Sequence, residues 1–146
     1  LQYIAYSMDG ASEETKYEAP FNITQSGTHN IKYFGYDNVN NRNVSDVSLV
    51  VDVDGPEVEH TFSIDPIDTK NDLKVYPAYV TIFLSASDVH TGAKTIYYSI
   101  NKEKEIVYGA PISDLKKNKN YTIKVRSIDM LGNESTSEFE FRTGKY

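Results

Sequence analysis

Apolar and polar residues alternate with a period of two along most of this chain, as in strands with one buried and one wet face. The clearest run sets Tyr121, Ile123, Val125 and Ser127 against Thr122, Lys124 and Arg126. It ends in Asp129-Met-Leu-Gly132-Asn133, where a carboxylate can accept nearby backbone N–H groups and Gly permits positive φ. A similar stretch comes earlier: Ile31, Tyr33 and Gly35, then Asp37-Asn-Val-Asn-Asn41. Ile4, Tyr6 and Met8 alternate with Tyr3, Ala5 and Ser7 before a turn at Asp9-Gly10. Tyr17 and Ala19-Pro20-Phe21 predict a short edge segment, because Pro cannot donate to a ladder. Val47, Leu49, Val51 and Val53 predict a further strand, closing at Asp54-Gly55-Pro56, which reads as a domain boundary.

Beyond that boundary Val58, His60, Phe62 and Ile64 alternate, followed by an irregular acidic loop from Asp65 to Asp72. Val80, Ile82, Leu84 and Ala86 predict a strand leading to Ser87-Asp88 and a turn at Thr91-Gly92. Phe139 and Phe141 mark the last strand, and no segment carries a helical period. The second half also repeats the first. Ile96-Tyr-Tyr-Ser-Ile-Asn101 matches Ile4-Ala-Tyr-Ser-Met-Asp9, and Tyr108-Gly-Ala-Pro-Ile112 matches Tyr17-Glu-Ala-Pro-Phe21. The spacing is about 92 residues, so the chain reads as tandem β modules over 1–54 and 55–146. The second copy has two strands ahead of Ile96 that the first lacks. A sandwich without them exposes an inner face and unpaired edges. Either residues ahead of Leu1 belong to the native protein or another chain covers that face, and truncation is the expectation.

The repeated residues carry a resemblance. Tyr6-Ser-Met-Asp-Gly10, Tyr17 with Pro20, Gly27-Thr-His-Asn-Ile31 and Asp37 to Asn41 resemble the YSxDG, YxxP, GxHxI and DxxGN pattern of Ig-like repeats in large bacterial surface proteins. The second copy fits through Tyr98-Ser-Ile-Asn101, Tyr108 with Pro111, and Asp129 to Asn133. The family has sometimes been labelled an outer-membrane β-barrel domain, and it is similar to accessory modules of secreted glycosidases. The resemblance implies an all-β fold of tandem Ig-like or fibronectin-like antiparallel β-sandwiches, the first lacking its N-terminal strands. It also implies an extracellular or cell-surface setting, neighbouring domains of one parent protein as partners, and no catalytic residues. Two departures concern turns. Asn40 stands where the pattern has Gly, and Asn tolerates positive φ; Asn101-Lys102 replaces Asp-Gly and weakens the hairpin signal.

Composition narrows the rest. The 146 residues carry a formal net charge of −6, which argues against nucleic acid, since phosphate binding needs a basic stripe. No apolar run approaches the roughly 20 residues of a membrane-spanning helix. Without cysteine there are no disulfides and no thiolate metal sites. The 12 Tyr and 6 Phe read mainly as strand formers.

Candidate chemistry is sparse. Asp37 and Asp129 read as acceptors for their own turns. Asp52, Asp54 and Glu57 flank the boundary, where calcium could stiffen the junction if Asp88 joined them, although the spacing matches no EF-hand; the plainer reading is a solvated acidic linker, with no cofactor. His29, His60 and His90 are scattered and show no metal spacing. The sequons at Asn22, Asn43, Asn120 and Asn133 read as incidental. The feature with functional edge is aromatic. With Ile31 and Tyr33 inward, Phe34 and Tyr36 point outward and Tyr3 joins them from the adjacent strand, a face that could stack on carbohydrate or anchor a surface protein. A register slip of one would instead make them core. The sequence therefore predicts a non-enzymatic spacer segment of a secreted protein, with a binding module or a glycosidase accessory domain as alternatives.

Overall fold

In the computed structural model, which describes all residues from Leu1 to Tyr146, the chain is all-β with no helix. It divides into two compact units, Leu1–Val53 and Asp54–Tyr146. Unit 1 is one antiparallel sheet of β1 (Tyr3–Met8), β2 (Thr15–Lys16), β3 (Gly27–Tyr36) and β4 (Arg42–Val51), in the order β2-β1-β3-β4. The β1–β3 register opposes Tyr3 to Tyr36, Ala5 to Phe34 and Met8 to Ile31. Alternation then puts Ile4, Tyr6, Ile31, Tyr33 and Val47 on one face and Tyr3, Ala5, Phe34, Tyr36 and Val44 on the other.

Unit 2 has two sheets. β5 (Glu57–Phe62) pairs with β8 (Ile82–Ser87) in the smaller one. The larger comprises β6 (Asp68–Lys70), β7 (Leu73–Tyr76), β9 (Ala93–Ile100), β10 (Ile106–Val107), β11 (Asn120–Asp129) and β12 (Glu134–Thr143), ordered β10-β9-β11-β12-β7-β6. All pairings are antiparallel except β12 with β7, which run parallel through Arg142 and Val75. Val80, Ile82 and Leu84 on the small-sheet side meet Tyr121, Ile123, Val125 and Phe141 of the large sheet in one core. Two sheets sharing a core are compatible with a β-sandwich. Each fully buried Ile, Val or Phe side chain contributes about 1.5–3 kcal/mol.

The acidic stretch from Asp65 to Asp72 is less irregular than its sequence suggests. Asn71 and Asp72 adopt φ of 51° and 63°, closing a tight hairpin between β6 and β7. β6 consists of Asp, Thr and Lys, all exposed, so no apolar alternation marks it. β4 likewise starts at Arg42, ahead of its first apolar alternation, for the same reason.

The beginning of unit 2 is pinned down. The Ser135 hydroxyl of β12 donates to the Pro56 carbonyl. A Cβ at Gly55 would collide with the Glu134 backbone, so only glycine permits this approach.

Candidate functional site

The turn after β3 and the turn after β11 make the same bonds. In unit 1 the Asp37 carboxylate accepts from the N–H groups of Val39 and Asn41, each at 2.9 Å, and from the Asn41 side-chain amide at 2.9 Å. In unit 2 the Asp129 carboxylate accepts from the N–H groups of Leu131 and Asn133, each at 2.8 Å, and from the Asn133 amide at 2.7 Å. Asn40 and Gly132 both take positive φ, 64° and 93°. The Asn41 amide and backbone donors hold the Asp37 carboxyl below its ordinary pKa. Burial opposes the same effect at Asp129, but donation from Asn133, Leu131 and Gly132 prevails and lowers it. The hairpins match as well: Asp9-Gly10 has φ of 52° and 78°, Asn101-Lys102 has 50° and 66°. Lysine in that position therefore tolerates the left-handed conformation the turn requires.

Tyr3, Phe34 and Tyr36 do come together on one face of unit 1. Their condition differs from the expectation of an open aromatic platform. Phe34 is 7% exposed, with the Arg42 guanidinium 5.1 Å over its ring. Ala5, directly opposite, is small enough to let that side chain lie down against the sheet. Tyr3 and Tyr36 stack on each other at 4.6 Å, which uses one face of each ring. The Tyr36 hydroxyl donates to Glu14 at 2.6 Å, and Arg42 donates to the same carboxylate at 2.7 Å. Hydrogen bonding to Glu14 raises the Tyr36 pKa above its usual value. Tyr33, expected inward, is 44% exposed, because unit 1 has no second sheet over the face it points to. The register is as expected, but the burial is reversed.

Unit 2 builds a similar outer cluster from different residues. Arg126 lies 4.4 Å over the Tyr97 ring and donates to Glu105 at 2.6 Å and Glu134 at 2.8 Å. Arg, Glu and an aromatic ring thus recur on the corresponding face of both sheets.

Asp52 stands just past β4 in unit 1, Asp54 and Glu57 are exposed at the start of unit 2, and Glu57 opposes Ser87 across β5–β8. Asp88 accepts from the N–H groups of His90, Thr91 and Gly92 at 2.8–3.0 Å, which lowers its pKa. Within unit 2 carboxylate oxygens of Asp88 and Asp129 lie within 4.8 Å of each other, and the Thr91 hydroxyl donates to Asp129 at 3.2 Å.

Two features escaped the sequence reading. His29 presents Nδ1 to Asp9 at 2.8 Å and Nε2 to the Gln25 carbonyl at 2.8 Å, two acceptors that together select the doubly protonated ring. Its pKa is raised, chiefly by Asp9 and then by Gln25. In unit 2 a cleft of about 540 Å³ is lined by His60, Phe62, Asp65, Lys74, Tyr76 and Phe139. Its rings pair internally, His60 on Phe139 at 3.7 Å and Phe62 on Tyr76 at 4.0 Å. Burial, then the Lys74 charge, pushes the His60 pKa down. The alternation of His60 with Phe62 and of Phe139 with Phe141 was the available signal for this cluster.

No known family model matches the chain, and no curated protein does.

Proposed function

We propose that the chain is a non-enzymatic structural segment of a secreted or cell-surface protein, built from tandem Ig-like repeats of which unit 1 is the C-terminal part. The observation that carries this reading is the repeated turn lock, with Asp37–Asn41 and Asp129–Asn133 making the same three bonds after equivalent strands. A repeated fold with its own local locks suits a spacer, in which each unit must stand alone under load.

The topology of unit 2 supports a mechanical role. Its last strand, β12, lies inside the large sheet between β11 and β7, so tension applied beyond Thr143 loads two ladders in shear rather than peeling one edge. Stretching the whole chain by its ends should give a discrete unfolding event for unit 2, releasing about 3.5 Å per residue. Featureless extension at low force would sink the spacer reading.

The binding alternative now rests on Tyr3 and Tyr36, which share one face of the sheet and are each half-buried. Retention on insoluble polysaccharides or matrix proteins, lost in a folded Tyr3→Ala/Tyr36→Ala variant, would establish it in place of the spacer.

A further inference from the structure

We propose that the Ile4, Tyr33 and Val47 face of unit 1 is a docking surface for a two-stranded antiparallel β segment built like β5 and β8. The inference rests on the repeat reading above, and unit 2 supplies the template. There the corresponding face, with Tyr98, Ile123 and Val125, is covered by Ile82 and Leu84 of the small sheet. In unit 1 the equivalent residues stay open: Ile4, Tyr33 and Val47 are 37%, 44% and 45% exposed. An uncovered apolar sheet face of this kind marks an interaction surface.

Two further positions specify how the occupant must run. In unit 2, Ile112 exchanges both backbone hydrogen bonds with Ile82, each at 2.9 Å. Two residues further on, the Leu84 N–H donates to the Tyr108 hydroxyl at 3.1 Å. Unit 1 holds the same pair of contact points. Tyr17 N–H donates to the Ile4 carbonyl at 2.8 Å just as Tyr108 N–H donates to the Ile96 carbonyl at 2.8 Å, so the segment is seated identically. Yet the Tyr17 hydroxyl and both backbone groups of Phe21, the Ile112 counterpart, make no hydrogen bond within the protein, and both residues are 41% exposed. Phe21 folds its ring onto Tyr6 at 4.5 Å, which leaves its backbone facing outward.

The incoming strand is therefore defined by its chemistry. One residue exchanges two backbone bonds with Phe21, the next but one gives its N–H to Tyr17, and both carry apolar side chains onto the open face. A second copy of this chain cannot supply it, because its own β8 is engaged by β5 and Ile112.

The test extends the full chain ahead of Leu1 with a copy of its own residues 54–92 and compares it with the unextended chain. Docking should cut the fluorescence of the apolar dye ANS and slow amide exchange at Phe21 by about tenfold or more. Val47→Glu in the extended chain should restore both signals. Tyr17→Phe, which keeps the ring and removes only the acceptor, should restore part of the exchange at Phe21. Unchanged dye binding and exchange on extension would overturn the proposal, as would protection that survives both substitutions. Concentration-dependent dimerisation of the unextended chain with protection of Tyr33 would replace it with self-association. These readouts concern unit 1 alone, whereas the spacer reading fails on the mechanical response of unit 2, so the two failures are distinguishable.

Discussion

Ile123 in unit 2 is fully buried, while Ile31, at the same point of the equivalent strand in unit 1, is only half-buried. Both strands are ten residues long, both end in the same aspartate lock, and both pair with a preceding strand in the same sense. What differs is the second layer. Alternation along a strand fixes where a side chain points; whether that direction is dry depends on what another part of the structure places there. Unit 1 has the direction without the cover.

The largest expected effect tests this contrast in the core. Phe141→Ala should cost about 3–5 kcal/mol in unit 2, and Leu49→Ala at the matching position of β4 much less, because a half-wet face leaves a smaller cavity. Urea unfolding followed by amide exchange in each unit separates the two. Equal losses would mean that unit 1 is as dry as unit 2.

Next comes Gly55→Ala, which forces a Cβ onto the Glu134 backbone. A cost of about 1–3 kcal/mol is expected in unit 2, read as a lower denaturation midpoint, with unit 1 unmoved. A neutral outcome would show that the Gly55–Pro56 segment lifts easily from β12.

The turn locks should respond to acid. The Asp37 and Asp129 carboxyls are both lowered, so their contributions are present above the unfolded value of about 3.9 and are lost as pH falls through the folded values. Asp129→Ala should depress the melting of unit 2 by several degrees at neutral pH and by progressively less as pH falls below about 3.9. Asp37→Ala should do the same to unit 1 with a smaller amplitude, since that turn is more exposed. A depression independent of pH would assign the effect to packing and not to the ionised lock.

The smallest effect belongs to unit 1 alone. The His29 pKa is raised, so the stabilisation from its bonds to Asp9 and Gln25 is complete below about pH 6.5 and declines as pH rises through the folded value. Unit 2 places Tyr121 there, whose hydroxyl accepts from the Lys116 N–H at 2.7 Å, with no imidazole at that position. Melting of unit 1 should therefore weaken as pH rises above about 6.5, and His29→Gln should flatten that slope. A slope unchanged in the variant would exclude the pair as its source.

Much of the architecture was legible in the residues. The alternating runs locate β1, β3, β5, β8, β9 and β11, and the aspartate turns were read as self-satisfied acceptors, as the bonds to Val39, Asn41, Leu131 and Asn133 show. Elements without an apolar stripe were hidden: β6 has none, and its turn uses Asn71-Asp72, which sequence alone leaves among many loop conformations. The candidate site was half legible. Strand period brought Tyr3, Phe34 and Tyr36 to one face, but the descent of Phe34 beneath Arg42 depends on a contact between neighbouring strands. His29 follows no local pattern, because its partners Asp9 and Gln25 lie in a turn and a loop ahead of β3; the cleft near His60 left only the alternation of its rings as a signal.

The inner position of β12 also constrains synthesis. The ribosome releases this strand after every other element of unit 2, yet β7 and β11 can be joined into one sheet only through it. Until it emerges, both neighbours present unpaired edges and the core lacks Phe141. The nascent unit thus stays open and adhesive until β12 has emerged, a kinetic exposure built into the order of its strands.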